Sequence, residues 1–336
     1  MSRGAAATSL GDEVKEAAES ALLAGGSAVD AVVAAFLAGA GVSPEVLLAP
    51  VVALVAGPGV GGRAFDGRAA QPGSGAPRPR GYAADVEPPP AARVGAPRSL
   101  PMLAVLHSYH GRAQLRSLAG GGVDAATARG AVRRAQLLRA FAESGARVMQ
   151  TGGLRAALLA AAGPIAGGAL SQRDLDEARP VDVDAAVEVL ERGRALRPPW
   201  PAPDARRAEI VVAADAWGVV AALAIAPSQE TVPVPELELV ASADAAPVRR
   251  GVTRLPPGTP IAAPAPIAVL VRDAADQAPL PGVFRLALGA PDAGELSLDA
   301  LRRMAVAPML DRAAVTGPWG SSVAVAWDGR EPKGFG

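Results

Sequence analysis

Apolar residues recur every three or four positions through residues 12–24 and 27–40, the spacing that gathers them on one face of a helix. Gly25-Gly26 between the two stretches reads as a C-terminal stop, and Ser27 as the N-cap of the second helix. Alanine at nearly every other position predicts that these helices pack closely. The same period returns at residues 101–110, 124–144, 153–162 and 184–196. Ser171 with Asp174 forms an S-x-x-D start signal for a short helix reaching Arg179. Residues 72–101 are rich in Pro, Gly, Ala and Arg, which predicts an irregular connection.

After Leu196 the period changes. Arg197-Pro-Pro-Trp-Pro-Ala-Pro203 is a stiff linker. Beyond it residues 209–214, 218–226, 236–240, 267–272 and 283–288 alternate or run as strands. The first two flank Asp215-Ala-Trp-Gly218, which predicts a β-hairpin. A helical pattern returns at 297–305, and residues 321–327 followed by Asp328-Gly329 read as a last strand and turn. Helices first and strands second predict an α+β chain folded as a layered sandwich. The organisation expected is one composite domain: a helical part over 1–196, a Pro-rich linker over 197–208 and a sheet part over 209–336.

Composition narrows the function. Half of the 336 residues are hydrophobic but only 3% are aromatic, so Ala, Val and Leu must fill the core. The 33 Lys and Arg residues balance 33 Asp and Glu, which removes any bulk electrostatic reason to expect nucleic acid or an anionic membrane surface. Absence of cysteine excludes disulfides, thiolate metal sites and thiol catalysis. The N-terminal segment carries acids where a signal peptide needs its apolar centre. The most apolar stretch, residues 46–57, is interrupted by Pro50 and is too short to span a bilayer. A cytoplasmic protein with no membrane helix is expected.

Local motifs for other chemistry are sparse. His107 and His110 stand one helical turn apart, a spacing two metal ligands can use, but no third ligand is signalled nearby, so capping or packing histidines are expected. Gly-Pro-Gly-Val-Gly-Gly at 57–62 lacks the Lys-Ser/Thr of a phosphate loop and reads as a turn. No cofactor and no metal are expected. The apolar run over 46–55 is read as either core or a contact surface, and with it goes an expectation of an oligomer or a protein partner.

Four phrases, in order, resemble the γ-glutamyltransferases. "LLAGGSAVDAVVAAFLAGAGV" resembles the Gly-Gly-Asn-Ala-Val-Asp-Ala opening of that family's first long helix, and "FDGRAAQP" its Asp-x-Arg-Glu-x-Ala-Pro. "GGALSQRDLDEARP" resembles a phrase late in the large subunit, and "RLPPGTPIAAPAPIAVLVRD" the small-subunit phrase that contains paired serines. The resemblance implies an N-terminal-nucleophile hydrolase fold, a four-layer αββα sandwich. In that family the chain cuts itself so that a threonine opens a strand, its hydroxyl attacking the γ-glutamyl carbonyl while its freed amine takes the proton.

Carried onto this chain, the family's pattern is broken at nearly every position. Aligned on Asp215 and Gly218, the nucleophile falls on Ala208, followed by Glu209. No Ser, Thr or Cys occurs from Gln172 through Pro227, so a shift of register supplies no hydroxyl. The paired serines correspond to Ala262 and Ala263, and the oxyanion-hole glycines to Asp292 and Ala293, where a carboxylate opposes developing negative charge. The phrase that holds the substrate's amino group falls near Ala241, Ser242, Ala243 and Asp244. Asp244 and Asp292 are expected as solvated loop acids. What remains is Arg68, at the position of the arginine that clamps the substrate carboxylate, beside Ala69 in place of Glu. It either still holds a small carboxylate or is an ordinary arginine, solvated or paired with Asp66.

Three functions follow from this reading. The first is a shortened, unprocessed and catalytically inactive relative acting as a structural or regulatory subunit. The second is a small-carboxylate binder using Arg68. The third is an active γ-glutamyl transferase or hydrolase with an unrecognised nucleophile.

Overall fold

The computed structural model describes residues 4–76, 81–150, 152–201, 207–272, 284–290, 296–306, 323–328 and 330–335. The hairpin around residues 215–218 lies at its centre. Strands β7 (Glu209–Asp215) and β8 (Val220–Ile225) are apolar almost throughout because both of their faces are covered. They belong to a six-stranded antiparallel sheet in the order β1-β7-β8-β2-β3-β4, with β1 at Gly4–Thr8, β2 at Val51–Gly57, β3 at Gly61–Gly67 and β4 at Val181–Asp184. Successive residues point to opposite faces. Val211, Ala213 and Leu223 meet the helices, while Ile210, Val212 and Ala222 meet a second sheet.

That second sheet is also six-stranded, in the order β14-β13-β12-β11-β6-β5. Its strands are β5 (Ala186–Leu190), β6 (Gly193–Arg197), β11 (Ile267–Arg272), β12 (Phe284–Gly289), β13 (Val323–Trp327) and β14 (Pro332–Phe335). Helix α9 (Leu298–Val306) covers its outer face with Ala300, Leu301 and Met304. A separate ribbon pairs β9 (Thr231–Val234) with β10 (Leu239–Ser242). The layers are therefore helix, sheet, sheet, helix, as expected.

The other helical layer comes from the first half of the chain: α1 (Asp12–Leu23), α2 (Ala28–Val42), α3 (Ser99–His110), α4 (Leu115–Leu118), α5 (Gly120–Ala128), α6 (Val132–Ser144), α7 (Gly152–Ala162) and α8 (Gln172–Asp176). Helix α2 is buried from Ala28 to Gly41 and starts with a capping box of Ser27 and Asp30. Its small residues permit close approach to α5, where a Cβ on Gly122 would lie 2.1 Å from the Leu37 carbonyl oxygen. The first half also supplies β1, β2 and β3, so segments on both sides of the linker share one sheet.

Several local expectations need correction. Residues 184–196 form no helix; they are the end of β4, then β5, a turn and β6. Pairing to β11 overrides the helix-like spacing, and Gly193, at φ 118°, lies where any side chain would meet the Val271 carbonyl. The helix expected over 124–144 is two helices broken at Gly130, whose φ is 73°. At 236–240 a 3-10 turn precedes β10, and Glu238 takes a left-handed φ of 56°. The run over 46–55 is core: Val46 to Ala49 are buried and β2 is a central strand. It is therefore no contact surface. Gly57 to Gly62 form the expected turn, the tip of the β2–β3 hairpin.

Candidate functional site

Strand β3 ends at Gly67, where a side chain would collide with Val51 and Met102. The next residue is Arg68. Its Nε donates to Asp66 Oδ1 and its Nη2 to Asp66 Oδ2, each at 2.9 Å, and its backbone N–H also reaches Oδ1. Both side chains are buried, at 7% and 2% exposure. The Trp200 ring lies over the guanidinium, 5.2 Å from its carbon. Arg68 is thus paired rather than solvated, and Nη1 makes no hydrogen bond among the described residues.

A second guanidinium belongs to this cluster and was not signalled by the sequence. Arg98, just before α3, donates through Nη2 to the Gly258 carbonyl at 3.0 Å, while its Nε is buried with no hydrogen-bond partner among the described residues. Burial pushes its pKa down, as does Arg68, and Asp66 opposes both.

The chain beyond Arg68 joins three of the four family-like phrases. Ala70 and Ala96 exchange backbone hydrogen bonds, Gln71 N–H donates to Thr259, and Ile261 N–H donates to Ala69. Ala262 and Ala263 therefore lie beside the Arg68 strand, Ala262 exposed and Ala263 buried. Asp174 accepts from Gly73 and Ser74 N–H at 2.8 Å and caps α8 through Ser171. Gln71 also borders a cavity of about 160 Å³ with Tyr82, Gly168 and Ala246. Asp244 is half-buried and accepts from Ser228 Oγ at 3.0 Å. Asp292 and Ala293 lie outside the described residues.

At the start of β7, Ala208 is 2% exposed and belongs to the core between the sheets, against which Trp200 and Ala265 pack. The neighbouring Glu209 accepts from Ser9 Oγ at 2.6 Å, and Ser9 Oγ accepts from Ile210 N–H at 2.8 Å. Ser9 thus brings to this position a hydroxyl that no sequence spacing announces. The register Thr8↔Val211 brings it to β7 from the opposite end of the sequence. Its oxygen is engaged in both directions.

Asp215, fully buried, accepts from Trp217 and Val219 N–H across the hairpin and from Ala28 N–H at the start of α2. Burial pushes its pKa up against those three donors. The carboxylate thus fixes strand to helix. Arg112 stacks on Trp217, 3.7 Å from the ring centre.

The two histidines diverge. His107 Nε2 lies 2.9 Å from the Ala113 carbonyl and 3.4 Å from Asp30 Oδ1. Asp30 accepts further from Ser27, Arg112 and Ala113 N–H. Burial alone would raise the Asp30 carboxyl, but His107 and these donors outweigh it and hold the pKa below the ordinary value. The Asp30 hydrogen bond in turn raises His107. His110 packs edge-on to Phe65, and burial lowers its pKa. Among the described residues no group of three or more His, Asp or Glu is placed to hold a metal ion, and no helix is long and apolar enough to cross a membrane.

No protein-family model and no curated protein matches this chain. Solved structures do. Cephalosporin acylase from Bacillus halodurans superposes with a TM-score of 0.69 at 14% identity, over 99% of this chain and 94% of that one. A structure of an LmbA2991 variant gives a TM-score of 0.64 at 14% identity, over 87% and 79%. A γ-glutamyltranspeptidase from Pseudomonas nitroreducens overlaps less, at 16% identity over 57% and 70%, with a TM-score of 0.49.

Proposed function

From the N-terminal-nucleophile hydrolase fold that this chain has, we propose that it is a γ-glutamyltransferase-like scaffold that neither cuts itself nor turns over a γ-glutamyl substrate, and that its remaining role is structural, regulatory or in binding. One observation carries the reading: Ala208, the residue just before β7 where the resemblance puts the nucleophile, is a buried alanine. Attack on an acyl carbonyl needs an oxygen or sulfur with a base beside it. A methyl group offers neither, and it also lacks the hydroxyl that self-cleavage requires.

The Arg68 environment fits the same role. Its guanidinium fork is engaged by Asp66, so a substrate carboxylate has to compete with a buried ion pair. A second reading draws on the two arginines around that one carboxylate. Arg98 Nε is buried without a hydrogen bond among the described residues, and a small carboxylate ligand would supply an acceptor for it.

Two assays separate these readings. Release of a chromogenic amine from a γ-glutamyl anilide is expected to be absent. Turnover would overturn the inactive reading and make Ser9→Ala the first variant to test, because Ser9 is the hydroxyl nearest to the start of β7 in the register. Calorimetric titration with glutamate tests the ligand reading: heat that disappears in Arg98→Met supports it, and no heat in the parent protein removes it.

A further inference from the structure

Four strand edges terminate the two sheets: β1 and β4 in one, β14 and β5 in the other. Open edges present rows of unpaired N–H and C=O groups, and stable monomers blunt them with charges, prolines or neighbouring elements. Three of the four are blunted here. Strands β1 and β14 lie together, Gly334 facing Ala5 and Ala6, and β14 carries Pro332 and Lys333. Strand β4 alternates valine with Asp182 and Asp184, both bound by Arg63.

The fourth edge is left open. Strand β5 has no strand on its outer side among the described residues, and its Val187 and Val189 are 56% and 85% exposed. Its register pairs Val187 with Leu196 and Val189 with Arg194. Leu196 belongs to the core between the sheets, so the two valines lie on that face of the sheet. Where β5 enters its turn, Val189, Leu190 and Glu191 border a groove of about 320 Å³ with Arg302, Arg303 and Val306 of α9, on the side of the sheet where Leu190 is buried. The exposed acid Glu191 in the turn thus stands beside exposed arginines on the helix.

We propose that β5 is an assembly edge through which two copies of this chain pair antiparallel, joining their second sheets into one. A patch that carries both signs of charge fits a second copy of itself, whereas an acidic or a basic peptide would be repelled by one half of it. A two-fold axis normal to the sheet has a register that sets Val189 opposite Val189. That register puts Glu188 opposite Leu190, with Glu191 in the turn beyond the strand, so no like charges face each other directly within it. It also leaves Glu188 of each copy on the same face as the other copy's α9, towards Arg303. The proposal stands whether or not the chain is catalytically inactive.

The absence of cysteine makes the geometry directly testable. Val189→Cys introduces a single thiol, and opposed residues across such a pairing have Cβ atoms about 4.5–5.5 Å apart. With the thiol oxidant diamide, two Val189→Cys chains are expected to join as a disulfide dimer many times faster than Ile165→Cys chains, although position 165, in the helical layer, is the more exposed of the two. In sedimentation runs across a dilution series the parent is expected to be a dimer, and Val187→Lys with Val189→Lys a folded monomer by circular dichroism. Glu188→Arg is expected to weaken the dimer about tenfold or more, and adding Arg303→Glu to restore it. A parent that stays monomeric at high micromolar concentration, or equal cross-linking rates at positions 189 and 165, would overturn the proposal.

Discussion

Replacing Asp30 by alanine is expected to destabilise the protein by about 3–5 kcal/mol, the range for breaking a buried charged hydrogen-bonded pair. The magnitude follows from what the carboxylate holds. Asp30 is fully buried and accepts from the backbone N–H groups of Ser27, Arg112 and Ala113. Each donor left without an acceptor costs roughly 1–3 kcal/mol, less where water can reach it, and loss of the reciprocal cap on α2 contributes about 1 kcal/mol. Asp30→Asn keeps an acceptor oxygen and is expected to cost less than half as much. The pair also sets a pH dependence. The lowered pKa of Asp30 means that its contribution is present above the ordinary value of 3.8 and is lost as pH falls through the lower folded value. The raised pKa of His107 means that its contribution is complete below 6.5 and is lost as pH rises through the higher folded value. Urea unfolding at about pH 5 and about pH 9 should therefore find the parent losing stability at the higher pH through this pair, and His107→Gln losing less. A cost below about 1 kcal/mol for Asp30→Ala, or an equal loss at high pH in His107→Gln, would refute the reasoning.

Other consequences are simpler to state. Gly122→Ala forces α5 away from α2, because the added methyl would lie 2.1 Å from the Leu37 carbonyl oxygen; overpacking of this kind costs about 1–3 kcal/mol, read as a lowered thermal midpoint. Ala208→Thr, alone or with Glu209→Thr, is expected to leave γ-glutamyl anilide hydrolysis at background, since catalytic groups act as a set and Arg68 remains bound to Asp66. Robust turnover in that variant would show that the rest of the machinery is intact.

Much of this architecture was legible where the signal is local. Gly25-Gly26 and Ser27 marked the α1–α2 junction, Ser171 and Asp174 the start of α8, and the apolar runs around Asp215 the central hairpin. Residues 184–196 misled because Val187, Leu190 and Leu196 also fit a helical period; only the neighbouring β11 decides the matter. The run over 46–55 left core and surface open because apolar character does not say what covers it. At the candidate site, Ala208 and Arg68 could be found from sequence phrases. Ser9 against Glu209, Arg98 beside Asp66 and His107 against Asp30 could not. Each of these is a meeting of distant segments with no spacing rule to announce it.

The central claim is that a buried alanine at the head of β7 leaves the chain uncut and without a nucleophile. The intact mass of the purified protein tests it most directly. One species at the full 33.5 kDa is predicted, unchanged after prolonged incubation. Two fragments whose boundary falls at residues 207 and 208 would contradict it, because such a cut would mean that the chain processes itself without the hydroxyl on which the account depends.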